Sequence, residues 1–138
     1  MKRLLATLVS FAVVTGCAST RLSDAEELAM YRAHAGEPVH HFHYAGSING
    51  WTPLGDRALA VWASPSRAYL LELMGPCSHL EFAFGISISN QMGTVSSRFD
   101  EVIVRDRTSA IQVPCRIQEI RPLDVKGLRQ AQREVVGS

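Results

Sequence analysis

The stretch HHFH, residues 40–43, carries the side chains in this chain that are best suited to bind a metal ion. Alternate side chains of a strand point the same way, so His41 and His43 would share one side. Such a pair can ligate zinc or copper, but a closed site needs one or two further ligands. The other candidate ligands are His34, His79 and Glu81. We favour the simpler interpretation, in which Phe42 and Tyr44 fill the core and the histidines face solvent.

Two cysteines in the second half of the chain suggest either catalysis or cross-linking. Cys77 lies two residues before His79, and a thiol beside an imidazole can act as a nucleophile with its base. Cys77 and Cys115 also form an even pair, which in an oxidising compartment commonly becomes a disulfide. A disulfide would remove the thiol that the nucleophile needs. We predict a structural Cys77–Cys115 bridge, with two buried free thiols or a redox pair as the alternatives.

A glycine-containing aromatic turn offers a third kind of site. The segment NGWTPLGD, residues 49–56, places Trp51 between two predicted strands. Its indole can stack on a ligand, together with Tyr44 and Tyr69, or it can plug one end of a barrel. The sequence favours the plug and leaves the aromatic ligand surface as an alternative.

The remaining cysteine, Cys17, follows a short apolar segment near the start of the sequence. Lys2 and Arg3 precede an apolar run over residues 4–14, which matches the charged and apolar regions of a secretory signal. The run is shorter than the roughly 20 residues that span a bilayer. The end of this segment, Val-Thr-Gly-Cys, resembles the lipobox of bacterial lipoproteins. That resemblance implies a diacylglyceryl group on Cys17, cleavage after Gly16 and acylation of the new amino group.

Lipidation at this position predicts where the protein resides. Three acyl chains exceed the two lipid signals that suffice for stable anchoring. Ala18 and Ser19 follow the cysteine, and the absence of Asp there predicts the inner leaflet of the outer membrane, facing the periplasm. We therefore divide the chain into a signal peptide (1–16), a lipidated tether (17–22) and a single β-rich periplasmic domain (23–138).

The composition of the mature chain narrows the range of partners. Removal of the first 16 residues leaves 122, enough for one domain with a real core. The charge count becomes 12 basic against 13 acidic residues, a net charge of −1. Nucleic-acid-binding proteins usually present a basic face, so we expect no nucleic-acid partner.

The predicted domain begins with a helix. Ser23 can accept a hydrogen bond from the first turn, and Glu26, three residues later, completes a capping box. Gly36 supplies a left-handed stop and Pro38 prevents continuation. A second helix is predicted over residues 124–136, with Asp124 as its N-cap.

Between the helices the sequence predicts strands. Residues 57–63 and 67–74 are aliphatic and flank Ser-Pro-Ser, which indicates a hairpin. Residues 81–89, EFAFGISIS, alternate as a strand with one buried face. That face would carry Phe82, Phe84, Ile86 and Ile88. Residues 97–105 and 115–123 are further strands. Charged residues expected at solvated strand ends are Asp56, Arg57, Arg98, Asp100 and Asp106.

These elements predict an α+β fold. Five or six antiparallel strands form a curled sheet or small barrel, with an N-terminal and a C-terminal helix that cover an edge or end of it. The sequence does not establish the order of the strands.

Several stretches together resemble a known family. They are LSDAEELAMYRAHAGEPV, GWTPLGDRALAVWASPSRAYLLEL, GPC, RFDEVIV and CRIQEIRPLDVKGLR. They resemble a family of small proteobacterial lipoproteins that carry a domain of unknown function. The matching positions are Cys17, Phe42, Tyr44, Gly50, Trp51, Tyr69, Leu70, Cys77 and Cys115. The histidines are not part of that pattern, and the family brings no assigned activity.

The sequence thus predicts a lipid-anchored envelope protein without a cofactor, acting as a non-enzymatic binding or accessory module. Its partners would be the membrane, through the anchor, and an envelope protein or a small ligand. The alternatives are a ligand-binding barrel that uses Trp51, Tyr44 and Tyr69, and a metal-binding protein that uses His41 and His43.

Overall fold

A computed structural model describes residues 22–107 and 112–137 of the chain. The predicted signal peptide, Cys17 and most of the tether lie outside the described residues. Within these residues, an N-terminal helix is followed along the chain by eight strands and a C-terminal helix. The elements are α1 (Asp24–Ala33), β1 (His41–His43), β2 (Gly50–Pro53), β3 (Ala58–Ser64), β4 (Arg67–Leu73), β5 (Gly85–Ile88), β6 (Thr94–Ser96), β7 (Glu101–Arg105), β8 (Gln112–Pro122) and α2 (Val125–Val136).

The main sheet has six strands in the order β2-β3-β4-β8-β7-β5, and every neighbouring pair is antiparallel. The long strand β8 joins its two halves, because its first part pairs with β7 and its second part with β4. The sheet curls into a half-barrel, and β1 and β6 form a separate two-stranded sheet. The predicted α+β class, with a curled antiparallel sheet and two terminal helices, is confirmed.

Both faces of the β3–β4 hairpin are buried. Alternate residues such as Leu59 and Leu71 face the interior of the half-barrel, where they join the core that contains Phe42. The intervening residues, such as Ala60 and Leu70, pack in a second cluster under the helices. Neighbouring strand residues point to opposite faces, so a nearly continuous apolar strand is what a sheet covered on both sides requires.

The helices cover the outer face of the sheet. In α1, Tyr31 is buried and its ring meets Trp62 edge-on at 6.3 Å between centroids. In α2, Val125 and Leu128 are the buried residues. The predicted caps are confirmed: Ser23 forms the capping box with Glu26, and Asp124 accepts a hydrogen bond from the first turn of α2. Across the described residues, no helix combines the length and apolarity that crossing a membrane requires.

The predicted stop of the first helix at Gly36 is wrong. The C-cap is His34, and Gly36 does not adopt a left-handed conformation. Its backbone N–H instead donates to the carbonyl of Pro122 at 2.8 Å, and Arg121 donates to the Gly36 carbonyl. The chain therefore leaves the helix by joining the edge of β8, and a close approach to Pro122 replaces the turn that was expected.

The predicted strand over residues 81–89 is only partly correct. Its first half is a short 3-10 turn, Leu80–Phe82, and β5 begins at Gly85. Phe82 and Phe84 are 80% and 64% exposed, contrary to the predicted buried face. Leu80 is buried next to the disulfide-bonded Cys77, and these contacts curl the segment before it can extend.

Candidate functional site

The histidines of the proposed metal pair lie on the surface. In strand β1 Phe42 is buried, and its neighbours in the chain, His41 and His43, are exposed. Among residues 22–107 and 112–137, no group of three or more His, Cys, Asp and Glu side chains is arranged to hold a metal ion. His34, one of the proposed additional ligands, has its Nδ1 atom 2.9 Å from the carbonyl oxygen of Met30.

The proposed thiol–imidazole pair is not formed. Cys77 is bonded to Cys115 in a disulfide with the Cα atoms 5.7 Å apart. His79 adopts a left-handed conformation and places its Nδ1 atom 3.4 Å from an Asp106 oxygen. The disulfide removes the nucleophile, and it ties the segment after β4 to β8.

The three aromatic residues proposed as a ligand surface contribute to the core. Tyr44 is buried, and Tyr69 stacks on Phe42 with 4.4 Å between ring centroids. Trp51, on the edge strand β2, is partly buried and packs against the same cluster. These residues therefore do not form an exposed aromatic surface.

The structure instead presents a groove that the sequence did not indicate. It has a volume of about 510 Å³ and is lined by residues 38–41, 96–99 and 118–119. Two of its walls are the segment that enters β1 and the turn that follows β6. We call this feature the β1–β6 groove. Its volume lies within the roughly 300–1,000 Å³ typical of ligand pockets.

The turn that forms one wall of the groove is held by a buried carboxylate. Asp100 is 5% exposed and accepts hydrogen bonds from the Ser96 backbone N–H and the Ser89 hydroxyl, both at 2.7 Å. Its own N–H donates to the Ser96 carbonyl at 3.0 Å. The Ser89 hydroxyl also accepts from the Glu101 N–H. Hydrogen bonds to a charged group are stronger than neutral ones, so this network fixes the turn.

Arg98 stands at the centre of the turn in a strained conformation. Its φ angle is +68°, in the left-handed region that non-glycine residues rarely adopt. Its backbone N–H donates to the carbonyl of Ile117 at 2.7 Å, and the Ser97 N–H donates to that of His40. Strain of this kind persists only where the surroundings enforce it, and it is concentrated at functional sites.

The side chains that this turn presents are exposed. Phe99 is 78% exposed although it is a large aromatic residue. The guanidinium of Arg98 has no hydrogen-bond or ion-pair partner in the part of the chain that the structure describes. The backbone network thus holds a turn whose two central side chains, Arg98 and Phe99, are exposed.

A β-bulge shapes the third wall of the groove. Glu72 pairs with Glu119 and Leu73 pairs with Ile117, so Gln118 is an extra residue in β8. A bulge locally disrupts the ladder and redirects side chains, and bulges are over-represented beside active sites. The left-handed Arg98 and the bulged Gln118 are therefore two independent irregularities that line one groove.

The groove carries charges of both signs. Arg98 supplies a permanent cation, and His40 and His41 supply imidazoles. Glu119 supplies a carboxylate that lies 4.0 Å from the Nε atom of Arg121. The groove can therefore bind a ligand that has an anionic end and hydrogen-bond donors elsewhere.

Sequence reasoning missed this site because its parts are distant in the chain. Arg98 and Asp100 were both expected at solvated strand ends. That holds for Arg98, which is exposed, but Asp100 is buried. The residues that donate hydrogen bonds to its carboxylate, Ser89 and Ser96, belong to other segments of the fold. The local signal is weak: a serine-rich turn followed by Asp at a strand start indicates a capped turn and no more.

A family of proteins of unknown function, DUF6491, matches residues 1–137 of the chain. The chain belongs to this family. No curated protein matches the chain, and no solved structure does so either. Membership of DUF6491 therefore supplies no activity, and the interpretation of the groove rests on its own chemistry.

Proposed function

We propose that this protein is a non-enzymatic envelope lipoprotein whose periplasmic domain binds a ligand or partner in the β1–β6 groove. The observation that carries the proposal is the turn around Arg98. A buried carboxylate and a left-handed backbone hold it, and it presents a cation and an exposed phenyl ring to the groove. Natural sequences tolerate such local strain where function requires it.

Binding rather than catalysis is proposed from the groups that the groove presents. A guanidinium next to an exposed ring is a recognition element, because the cation fixes an anion and the ring contributes apolar contact area. Arg98 and Phe99 supply these two elements from adjacent positions.

The lipid anchor is proposed from the sequence. Lys2, Arg3 and the apolar run that follows them lead to Gly16-Cys17, the pattern that predicts acylation of Cys17. The proposed location is the periplasm-facing leaflet of the outer membrane. Anchoring there would keep the domain at a high local concentration near envelope partners.

Replacement of the acylated residue tests the anchor. We expect Cys17→Ser to abolish acyl addition and either release the protein from membranes or leave it unprocessed. The measurement is the intact mass of the protein together with its distribution between membrane and soluble fractions. Thr20→Ala, three residues further on, is the matched control and should behave as the wild type. A Cys17→Ser chain with wild-type processing and membrane retention would refute the anchor.

Site-directed crosslinking in cells tests the groove. A photoreactive phenylalanine at position 99 should give a discrete adduct, and Arg98→Gln should reduce its yield. Position 82 is the control, because Phe82 is 80% exposed, nearly the same as the 78% of Phe99, and lies outside the groove. Equal adduct patterns at both positions, or no adduct at position 99, would contradict binding in the groove.

A further inference from the structure

We propose that the β1–β6 groove binds the free C-terminal carboxylate of a peptide whose last side chain is apolar. This inference rests on the proposed function, because it names the ligand of the same groove. The features that carry it are the guanidinium of Arg98, which has no partner among residues 22–107 and 112–137, the exposed ring of Phe99 and the carboxylate of Glu119.

The guanidinium determines the charge of the ligand. An arginine side chain presents its donors in a planar fork that matches the two oxygens of a carboxylate. The described residues provide Arg98 with no hydrogen-bond or ion-pair partner, so its donors are available to an external anion. Asp100 is not available to serve as that anion, since its carboxylate is engaged by Ser96 and Ser89.

The neighbouring ring determines the apolar part of the ligand. Phe99 is adjacent to Arg98 and exposes most of its surface, and Val39, which also lines the groove, is 36% exposed. Covering both would remove apolar surface from water at roughly 25 cal/mol per Å². A ligand that contacts both Arg98 and Phe99 must carry an anion and an apolar group.

The acidic residue distinguishes a peptide from a multiply charged anion. Glu119 lines the same groove, and its carboxylate, whose charge Arg121 offsets only in part at 4.0 Å, would repel a second negative charge. It can accept hydrogen bonds from N–H donors, which a peptide backbone supplies next to its terminal carboxylate. One carboxylate, one apolar side chain and backbone amides are the groups present at a peptide C-terminus.

The site is also preorganised. The Arg98 N–H donates to the Ile117 carbonyl, and the turn closes through Asp100, so the backbone that carries Arg98 and Phe99 is already in place before binding. Fixing these groups in advance lowers the entropic cost of binding a short ligand.

Fluorescence anisotropy with paired peptides tests the proposal. The protein is the full chain purified in detergent, and the probe is Ala-Ala-Phe labelled with fluorescein at its N-terminus. One version has a free C-terminal carboxylate and the other a C-terminal amide. We expect the carboxylate form to bind about 10-fold more tightly or better, as the loss of one charge-assisted interaction predicts.

Variants assign that preference to the groove. Arg98→Gln should remove the discrimination between carboxylate and amide, while Arg57→Gln, which alters an exposed arginine outside the groove, should keep it. Phe99→Ser should weaken both peptides by a similar factor. Thermal melts followed by circular dichroism establish that each variant is folded.

Three outcomes of the peptide titrations would overturn the proposal, and one competition result would do so as well. They are equal affinity of the wild type for carboxylate and amide, discrimination that persists in Arg98→Gln, and no binding of either peptide. Equivalent competition by inorganic phosphate would also overturn it, since that would indicate a general anion site. If the crosslink at position 99 still forms in cells under any of these outcomes, the proposed function stands and only the ligand chemistry is wrong.

Discussion

Asp100 and Ser96 are joined by two hydrogen bonds that close the turn carrying Arg98 and Phe99. The Ser96 N–H donates to the Asp100 carboxylate at 2.7 Å, and the Asp100 N–H donates back to the Ser96 carbonyl at 3.0 Å. The carboxylate is buried and also accepts from the Ser89 hydroxyl. This one side chain therefore connects the end of β5, the end of β6 and the start of β7.

Replacing the buried carboxylate should destabilise the domain. Asp100→Asn keeps one acceptor but directs an amide donor at a group that itself donates, which should lower the free energy of unfolding by about 1.5–3 kcal/mol. Urea denaturation measures the change. Asp56→Asn, at an exposed position, should stay within about 0.5 kcal/mol of the wild type. Equal effects of the two substitutions would show that the Asp100 network contributes nothing.

The disulfide should be a major contributor to stability. Cys77 and Cys115 are separated by 38 positions, and on the chain-entropy account a loop of this length contributes about 3–4 kcal/mol. A Cys77→Ser/Cys115→Ser double variant should lose about that much in urea unfolding. A reducing agent should destabilise the wild type and leave the double variant unchanged. If the reductant has no effect on the wild type, the bridge does not cross-link the folded protein.

Because both faces of β4 are buried, substitutions on either face should lower the free energy of unfolding by similar amounts. Leu70 packs under the helices, Leu71 packs inside the half-barrel, and both are fully buried. Leu70→Ala and Leu71→Ala should each lower the free energy of unfolding, measured by urea denaturation, by about 2–5 kcal/mol. Phe82→Ala, at an 80% exposed position, should cost far less. A negligible cost at Leu70 would mean that the helices do not cover the sheet in solution.

Tyr31 should ionise at a higher pH than an ordinary tyrosine. Burial raises the pKa of its hydroxyl above the usual value, and a hydrogen bond to Thr52 opposes that shift. Because the folded pKa is the higher one, the neutral phenol stabilises the fold fully below the unfolded value. That contribution is lost as the pH rises through the folded pKa. Ultraviolet titration of wild type and Tyr31→Phe tests this, and the variant should lack a transition above pH 10. If the variant instead lacks a transition at or below pH 10, the pKa of Tyr31 is not raised.

The parts of the fold that the sequence predicted are those determined by neighbouring residues. The capping box needs only Ser23 and Glu26, three residues apart, and the hairpin needs only the Ser-Pro-Ser turn between two aliphatic runs. Alternation and capping are local rules, so one segment is enough to apply them.

The parts that were missed depend on distant contacts. The alternation of residues 81–89 predicts a strand, but burial of Leu80 beside the disulfide curls its first half and exposes Phe82. Burial of Asp100 depends on Ser89, which is brought to it only when β5 pairs with β7. The groove combines three segments of the chain, and no single stretch carries its signature.

The most direct test of the account is native mass spectrometry of the full protein extracted from envelopes with a mild detergent. We predict acyl mass on Cys17, the loss of two hydrogens for the Cys77–Cys115 bridge, and a bound companion that is reduced in an Arg98→Gln variant. An unacylated protein would contradict the anchor. A companion retained equally by wild type and Arg98→Gln, or no companion in either, would contradict binding in the groove through Arg98.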